Sequence, residues 1–132
     1  MLVIEFDPLQ TIPLVDALLE GPNGRRRVKL VLDTGCAVTQ IDTGLMETMG
    51  YSISDSSNVI SIHGPAGDEQ EGYLVSARSL TIFGKSFENI AVGVYDFDNF
   101  SKYGIDGLLG WDIIRQFHIE MNGPDGLLKI FW

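Results

Sequence analysis

The sequence predicts an all-β fold, a compact barrel or sandwich of short strands with one short helix near the C-terminus. Short apolar runs recur along the chain, and Gly, Pro, Asn or Asp interrupts them about every ten residues, which is typical of such folds. Hydrophobic residues make up 45% of the 132 residues, which is enough for a core. This length suits one domain, so we expect a single domain over residues 1–132.

Turn-forming segments divide the chain into its predicted elements. GPNG at residues 21–24 and GPDG at residues 123–126 each predict a tight turn between two strands. HGPAGDEQEG at residues 63–72 predicts a longer hairpin loop, and a helical spacing runs over residues 111–117. The predicted strands cover residues 2–6, 11–19, 26–33, 59–63, 72–80, 81–83, 87–95, 118–121 and 127–132.

Charge and composition argue against several classes of partner. The net charge is -9, whereas binding to nucleic-acid phosphates needs a basic surface, so we expect no nucleic-acid partner. No apolar run reaches the roughly 18 residues of a membrane-spanning helix, so we expect no membrane association. No His, Cys, Asp or Glu cluster has metal-ligand spacing, and we expect neither a metal nor another cofactor.

The cysteine content and the N-terminal residues bear on the cellular compartment. Cys36 is the only cysteine, so no disulfide can form within the chain, which fits a reducing compartment. The first ten residues, MLVIEFDPLQ, contain two acids and no basic residue, unlike a secretory signal. We therefore expect a cytoplasmic protein.

The most informative stretch is LVLDTGCAVTQID, which covers residues 30–42. Leu30 and Leu32 alternate with residues of the other face, as in a strand with one face buried. This strand ends in an acid, a hydroxyl residue and a glycine, Asp33-Thr34-Gly35. By itself such a triplet is equally an ordinary turn at the end of a strand.

The same triplet recurs at Asp42-Thr43-Gly44, in a different context. It precedes a short helical pattern, LMETM, which Gly50 closes. Asp42 or Thr43 can cap the start of this helix, and Gly50 suits its C-terminal end. We therefore interpret the second triplet as the start of a helix.

A second motif lies far downstream, in GIDGLLGWDII. Leu108-Leu109-Gly110 alone is explained equally well as core residues beside a close-packed glycine. Together with the triplet at the end of a strand, however, it resembles the retropepsin-like aspartic proteases. The family's motifs, apolar-apolar-Asp-Thr/Ser-Gly-small and apolar-apolar-Gly before a helix, match residues 31–36 and 108–110. The resemblance extends from about residue 11 to residue 132.

The resemblance implies a closed β-barrel with a flap hairpin, which as a homodimer hydrolyses a peptide or protein substrate. Asp33 of each chain is then one half of a catalytic dyad. The Thr34 hydroxyl would reach the backbone of the partner chain, and Gly35 would leave room for the substrate backbone. The supporting residues implied by the two motifs are Thr34, Gly35 and Cys36 around the acid, and Leu108, Leu109 and Gly110 beneath it.

The chemistry of peptide hydrolysis explains why two acids are needed. Without a metal or a covalent intermediate, one carboxylate must activate water while a protonated acid polarises the carbonyl. Two carboxyls about 3 Å apart cannot both ionise, so they share one proton and do both tasks. Asp42 follows Asp33 closely, with no second apolar strand to carry it, so the resemblance implies that the second acid comes from another chain.

The flap is expected in the loop between residues 59–63 and 72–80. In the functional interpretation this segment closes over the peptide and excludes water. A simple exposed turn explains the same Gly- and Pro-rich composition equally well. The flap candidates are His63, Gly64, Pro65, Ala66 and Gly67.

Two positions depart from the family's pattern. Cys36 stands where the family usually has Ala or Ser, and this small thiol would inhibit the enzyme if it were oxidised beside the dyad. Ala37 stands where retroviral members carry an acid, which indicates a cellular or bacterial type. Residues 118–121 can form a dimer sheet, with which the hairpin that follows them would compete.

Three other functions remain open. An inactive member of the fold would serve as a dimerisation or peptide-binding module. Actin-like ATPases also carry an Asp-x-Gly loop, although this chain is short for their two domains and lacks a Gly-rich phosphate loop. A purely structural β-domain would use Asp33 for stability alone. The aromatic residues Phe97, Phe100, Tyr103 and Trp111 are interpreted as packing residues or loop anchors.

Overall fold

The computed structural model describes residues 1–10, 12–52, 56–63, 69–97 and 103–131. The described elements, in chain order, are β1 (Leu2–Glu5), β2 (Leu14–Gly21), β3 (Gly24–Leu32), β4 (Gln40–Asp42), α1 (Thr43–Thr48), β5 (Ser56–His63), β6 (Glu69–Ile82), β7 (Lys85–Tyr95), β8 (Gly107–Leu109), α2 (Trp111–Ile114), β9 (His118–Asn122) and β10 (Leu127–Phe131). Within these ranges, neither helix has the length and apolar character that crossing a membrane requires.

Six strands form a closed barrel in the order β2-β3-β8-β4-β7-β6. β2 pairs with β3 along its whole length, and residues 18–20 of β2 also pair with β6, which closes the ring. β5 pairs with the outer part of β6 and lies outside the ring. The predicted all-β barrel is therefore confirmed.

The barrel core forms because the strands alternate apolar and polar residues. In β3, Val28 and Leu30 are fully buried, whereas Lys29 between them is exposed, as the pattern predicts. Burial of each large aliphatic side chain stabilises the fold by about 1.5–3 kcal/mol. The fully buried large side chains are Leu19, Leu30, Ile41, Met46, Leu80, Ile82, Leu109, Ile113, Leu128, Ile130, Val28 and Val92.

Two predicted elements are shorter than the sequence pattern suggests. β2 begins at Leu14, directly after Pro13, because proline has no N–H to donate to a sheet. α2 ends at Ile114 instead of continuing to Phe117. Phe117 lies beyond the helix and packs edge-on against the Phe83 ring, with 5.3 Å between the ring centroids.

A separate three-stranded sheet joins the two ends of the chain in the order β1-β10-β9. β10 pairs antiparallel with β9 on one side and with β1 on the other. The predicted C-terminal hairpin is thus confirmed. Within this hairpin β10 occupies one edge of β9, which is the strand that the sequence offered for a dimer sheet. The other edge of β9 has no partner strand in the described structure.

Candidate active site

The candidate site lies where strands β3, β8 and β4 of the barrel meet. β3 and β4 are consecutive in the chain but flank β8, which is parallel to β3 and antiparallel to β4. The connection at residues 33–39 therefore passes over the end of β8. In this way the topology brings the two sequence motifs, residues 31–36 and 108–110, into direct contact.

Asp33 occupies the first position after β3 and is held by hydrogen bonds at two points. Its backbone N–H donates to the Leu109 carbonyl over 3.0 Å, which attaches the turn to β8. Its carboxylate Oδ1 accepts from the Gly35 N–H over 2.9 Å, which fixes the orientation of the side chain. The side chain is half-buried, while Thr34 and Gly35 are exposed. The arrangement presents an oriented carboxylate at an accessible turn.

The residues next to Asp33 leave a small, open surface. The Thr34 hydroxyl forms no hydrogen bond within the described ranges of the chain. A Cβ added at Gly35 would lie 3.3 Å from Asp33 Oδ1, so a larger residue here would crowd the carboxylate. Both observations agree with the roles expected for Thr34 and Gly35, but neither tests those roles.

Gly110 permits the close packing of the two motifs. A Cβ at this position would lie 2.7 Å from the Val38 carbonyl carbon and 2.8 Å from the Thr39 nitrogen, and both atoms belong to the backbone. The next residue, Trp111, donates its N–H to the Cys36 carbonyl over 2.6 Å. The close packing expected for this glycine is therefore present, and it attaches the Asp33 turn to the residues that follow β8.

A hydrogen-bonded pair that the sequence analysis missed joins the turn to α2. Asp112 Oδ1 accepts from the Thr39 N–H over 3.0 Å and from the Thr39 hydroxyl over 2.8 Å. The Thr39 hydroxyl oxygen in turn accepts from the Gly110 N–H. Each bond to a charged group contributes about 1.5–3 kcal/mol. The sequence did show an acid, Asp112, in the first turn of the predicted helix. Acids are common at helix starts, however, so this position did not identify Thr39 as its hydrogen-bond partner.

Cys36 lies beneath the turn as a half-buried thiol. Its Sγ donates to the Val38 carbonyl over 2.9 Å and accepts from Gln40 Nε2 over 3.3 Å. Burial raises the pKa of the thiol, and the negative charges of Asp33 and Asp112 act in the same direction, against an opposing backbone hydrogen bond at Val38. The thiol is therefore protonated near neutral pH, and its oxidation is slow.

Asp42, the acid of the second triplet, has a structural role. Its Oδ2 accepts from the Leu45 N–H over 3.3 Å and so caps α1, and its Oδ1 accepts from the Phe97 N–H over 2.9 Å. Gly50 follows α1 with a φ of 95°, in the left-handed region that favours glycine. The interpretation of this triplet as a helix start is confirmed.

The structure describes only part of the predicted flap. His63 ends β5, where its backbone pairs with Glu69 of β6, so two strands flank the loop as predicted. Gly64, Pro65, Ala66 and Gly67 lie outside the described residues, and their role as a flap stays a prediction.

The predicted aromatic anchors differ in their environments. Phe97 is buried and packs edge-on against Tyr95, whereas Tyr103 is 70% exposed and Trp111 is 49% exposed. Phe100 lies outside the described residues. The packing role is therefore confirmed for Phe97, whereas the interpretation of Tyr103 and Trp111 as packing residues or loop anchors stays a prediction. Across the described ranges, no group of three or more His, Cys, Asp or Glu side chains is placed to hold a metal ion.

A closed barrel in which an Asp-Thr-Gly turn crosses a Leu-Leu-Gly strand defines the retropepsin-like fold. The chain belongs to the aspartyl protease family, whose sequence model matches residues 16–113. A comparison with curated proteins found no match.

Solved structures show the same fold. A retropepsin-like aspartic protease from Rickettsia conorii is 20% identical with a TM-score of 0.69, over 98% of this chain and 97% of that chain. The retroviral protease-like domain of Ddi1 from Leishmania major is 16% identical with a TM-score of 0.60, over 92% of this chain and 89% of that chain. The likeness therefore extends over almost the whole chain.

Proposed function

We propose that the chain is an aspartic endopeptidase that acts as a homodimer, in which two copies of Asp33 form one catalytic dyad. The observation that carries this proposal is the Asp33 turn itself. Its carboxylate is oriented by the Gly35 N–H, and its backbone is tied to Leu109 of the barrel. Such preorganisation is what a catalytic group requires.

The proposed mechanism uses the two carboxyls as an acid and a base. The ionised carboxylate takes a proton from water, whose oxygen attacks the carbonyl carbon, while the protonated carboxyl donates its proton to the carbonyl oxygen. The resulting diol collapses as the C–N bond breaks. The first carboxyl gives its proton to the leaving nitrogen. A hydroxyl group of the diol gives a proton to the second carboxylate, which restores the starting state of the pair. Because the pair must hold one proton, hydrolysis should be fastest on the acidic side of neutrality.

The hydrogen bonds of two other acids bear on where the second acid of the dyad comes from. Both carboxylate oxygens of Asp42 accept backbone N–H groups, and Asp112 Oδ1 is bound to Thr39. Asp42, the acid of the second triplet, therefore has both oxygens in use and is not a candidate for the second acid. The exposed Thr34 hydroxyl, beside the carboxylate, is available to a neighbouring copy. The flap role of residues 63–67 and a cytoplasmic location stay predictions.

A mixing experiment tests the proposal. Wild-type chains are equilibrated with an equal amount of Asp33→Asn chains, and cleavage of a mixed peptide library is measured at mildly acidic pH. Random pairing leaves about one quarter of the dimers with two intact acids, so the activity per wild-type chain should fall by about half. The control is mixing with Asp42→Asn chains, which keep Asp33 and should add activity of their own.

Two results would overturn the proposal. Activity per wild-type chain that is unaffected by Asp33→Asn chains would show that one chain suffices for hydrolysis. Failure of the wild-type protein to cleave any peptide in the library, with peptide binding retained, would favour the inactive binding module instead.

A further inference from the structure

Trp111 is a large aromatic residue placed directly beside the Asp33 turn. Its N–H donates to the Cys36 carbonyl, so its side chain starts at the base of the turn. Its exposed fraction is 49%, whereas Ile113 and Ile114 of the same helix are buried in the barrel core. Asp112 between them is bound to Thr39. Trp111 therefore belongs to the outward side of α2, next to the exposed residues of the turn.

A half-exposed tryptophan beside the candidate site has the character of an interface residue. Trp is among the residues most enriched at the energetic centres of protein interfaces, where a large ring excludes water. The adjoining Thr34, Gly35 and Ala37 are also exposed, and they are small. In the proposed dimer this turn must face the second copy, because the two Asp33 carboxyls have to meet. Trp111, whose backbone is bonded to that turn, then lies beside the face that meets the second copy.

Charge gives a second reason for an apolar contact here. Each chain carries a net charge of -9, so two copies repel each other through their overall fields. Burial of apolar surface must outweigh this repulsion. Arg115 is exposed and lies four positions after Trp111, so both residues share one side of α2, and the cation there attracts an acidic second copy.

We propose that Trp111 is an apolar anchor of the homodimer, its ring buried against a second copy of this chain. The inference rests on the proposed dimeric dyad and adds to it a residue that positions the dyad from outside. By two-fold symmetry each dimer buries the residue twice. Trp111 is thus a positioning residue, which acts by holding the two Asp33 turns together.

The first test reads the environment of the Trp111 ring. The sequence contains two tryptophans, so Trp132→Phe leaves Trp111 as the single tryptophan fluorophore. As this protein is concentrated through its dimerisation range, measured by sedimentation, the emission should shift to shorter wavelength. Because Trp111 is 49% exposed in one chain, acrylamide quenching should fall by about twofold or more on burial. An unchanged emission and unchanged quenching across a dimerisation that sedimentation detects would overturn the inference.

The second test measures the dimer dissociation constant. Trp111→Ala should weaken the dimer by about tenfold or more, as expected for an aromatic anchor. The matched control is Leu18→Ala, which removes a 38% exposed apolar side chain from β2. Leu18 pairs with Arg27, about 20 Å along the strand from Asp33, so its loss should leave the dissociation constant unchanged. Equal effects of the two substitutions would overturn the inference.

The outcomes separate this inference from the proposed function. If Trp111→Ala dimers form only at higher protein concentration and then regain wild-type activity per dimer, both proposals stand. If the dimer forms and cleaves peptides with Trp111 still exposed, the dyad stands and the anchor fails. A chain that is monomeric at every concentration overturns both. Should Trp111→Ala not fold, the fluorescence experiment still decides.

Discussion

The two Asp-Thr-Gly triplets have the same residues and different structures. The first follows β3, and its acid accepts a single hydrogen bond from within its own turn, from the Gly35 N–H. The second precedes α1, and both oxygens of its acid accept backbone N–H groups. A carboxylate with spare acceptor capacity at an accessible turn can act on a ligand, whereas a carboxylate with both oxygens in use stabilises the fold. The neighbouring elements, and not the triplet, decide between these outcomes.

The largest expected difference between the triplets appears on replacing each acid by its amide. Asp33→Asn keeps the oxygen that accepts from Gly35, so the fold should persist, but peptide hydrolysis should fall by about 10²–10⁴-fold or more. Cleavage assays on the folded dimer measure this loss. Wild-type rates from this variant would remove the proposed role of Asp33.

Asp42→Asn is the matched substitution, and it should act on stability. An amide has one acceptor oxygen, so one of the two bonds to the Leu45 and Phe97 N–H groups is lost. The free energy of unfolding should fall by about 1.5–3 kcal/mol, with activity per dimer unchanged. Urea unfolding and cleavage assays on the same preparation measure the two effects. Loss of activity without loss of stability would reverse the roles assigned to the triplets.

The glycines of the triplets provide a smaller, paired test. A methyl group at Gly35 would lie 3.3 Å from Asp33 Oδ1, and one at Gly44 would lie 3.2 Å from Asp42 Oδ2. Gly35→Ala should lower the rate of cleavage by about tenfold or more, because it displaces an oxygen of the proposed catalytic acid by a fraction of an ångström. Gly44→Ala should keep activity and leave stability within about 1 kcal/mol, since alanine favours the helix. Similar kinetics for the two variants would show that the carboxylate position at Asp33 is not critical.

The smallest effect is expected at Cys36, directly after the first triplet. Its pKa is raised in the folded chain, so the neutral thiol contributes stability below the pKa of the unfolded thiol, and this is lost as the pH rises through the folded value. Near neutral pH the folded protein should react with iodoacetamide about threefold or more slowly than the urea-unfolded chain. Cys36→Ser should keep hydrolysis within about twofold, since serine also donates and accepts hydrogen bonds. Fast alkylation with concurrent loss of activity would reveal an exposed thiolate.

Local signals in the sequence were sufficient for most strands, for both turns and for α1. The alternation in β3, the glycines of GPNG and the cap at Asp42 each depend on neighbours a few residues away. The insertion of β8 between β3 and β4 was not predictable from these signals, because parallel pairing of residues 30–32 with 107–109 depends on the whole barrel. The hydrogen bond between Thr39 and Asp112 depends on that insertion, so it could not be predicted from local signals either.

The small terminal sheet has a consequence for biosynthesis. β1 pairs with β10, and Leu2 lies opposite Ile130, so β1 meets its partner strand only after all the intervening barrel strands have been synthesised. At about 5–20 residues per second, an apolar segment waits on the order of ten seconds without a neighbour. Such long-range pairing slows folding and leaves the unpaired strand open to aggregation in the meantime. This sheet therefore forms only after every strand of the barrel has been synthesised, however early those strands begin to pair.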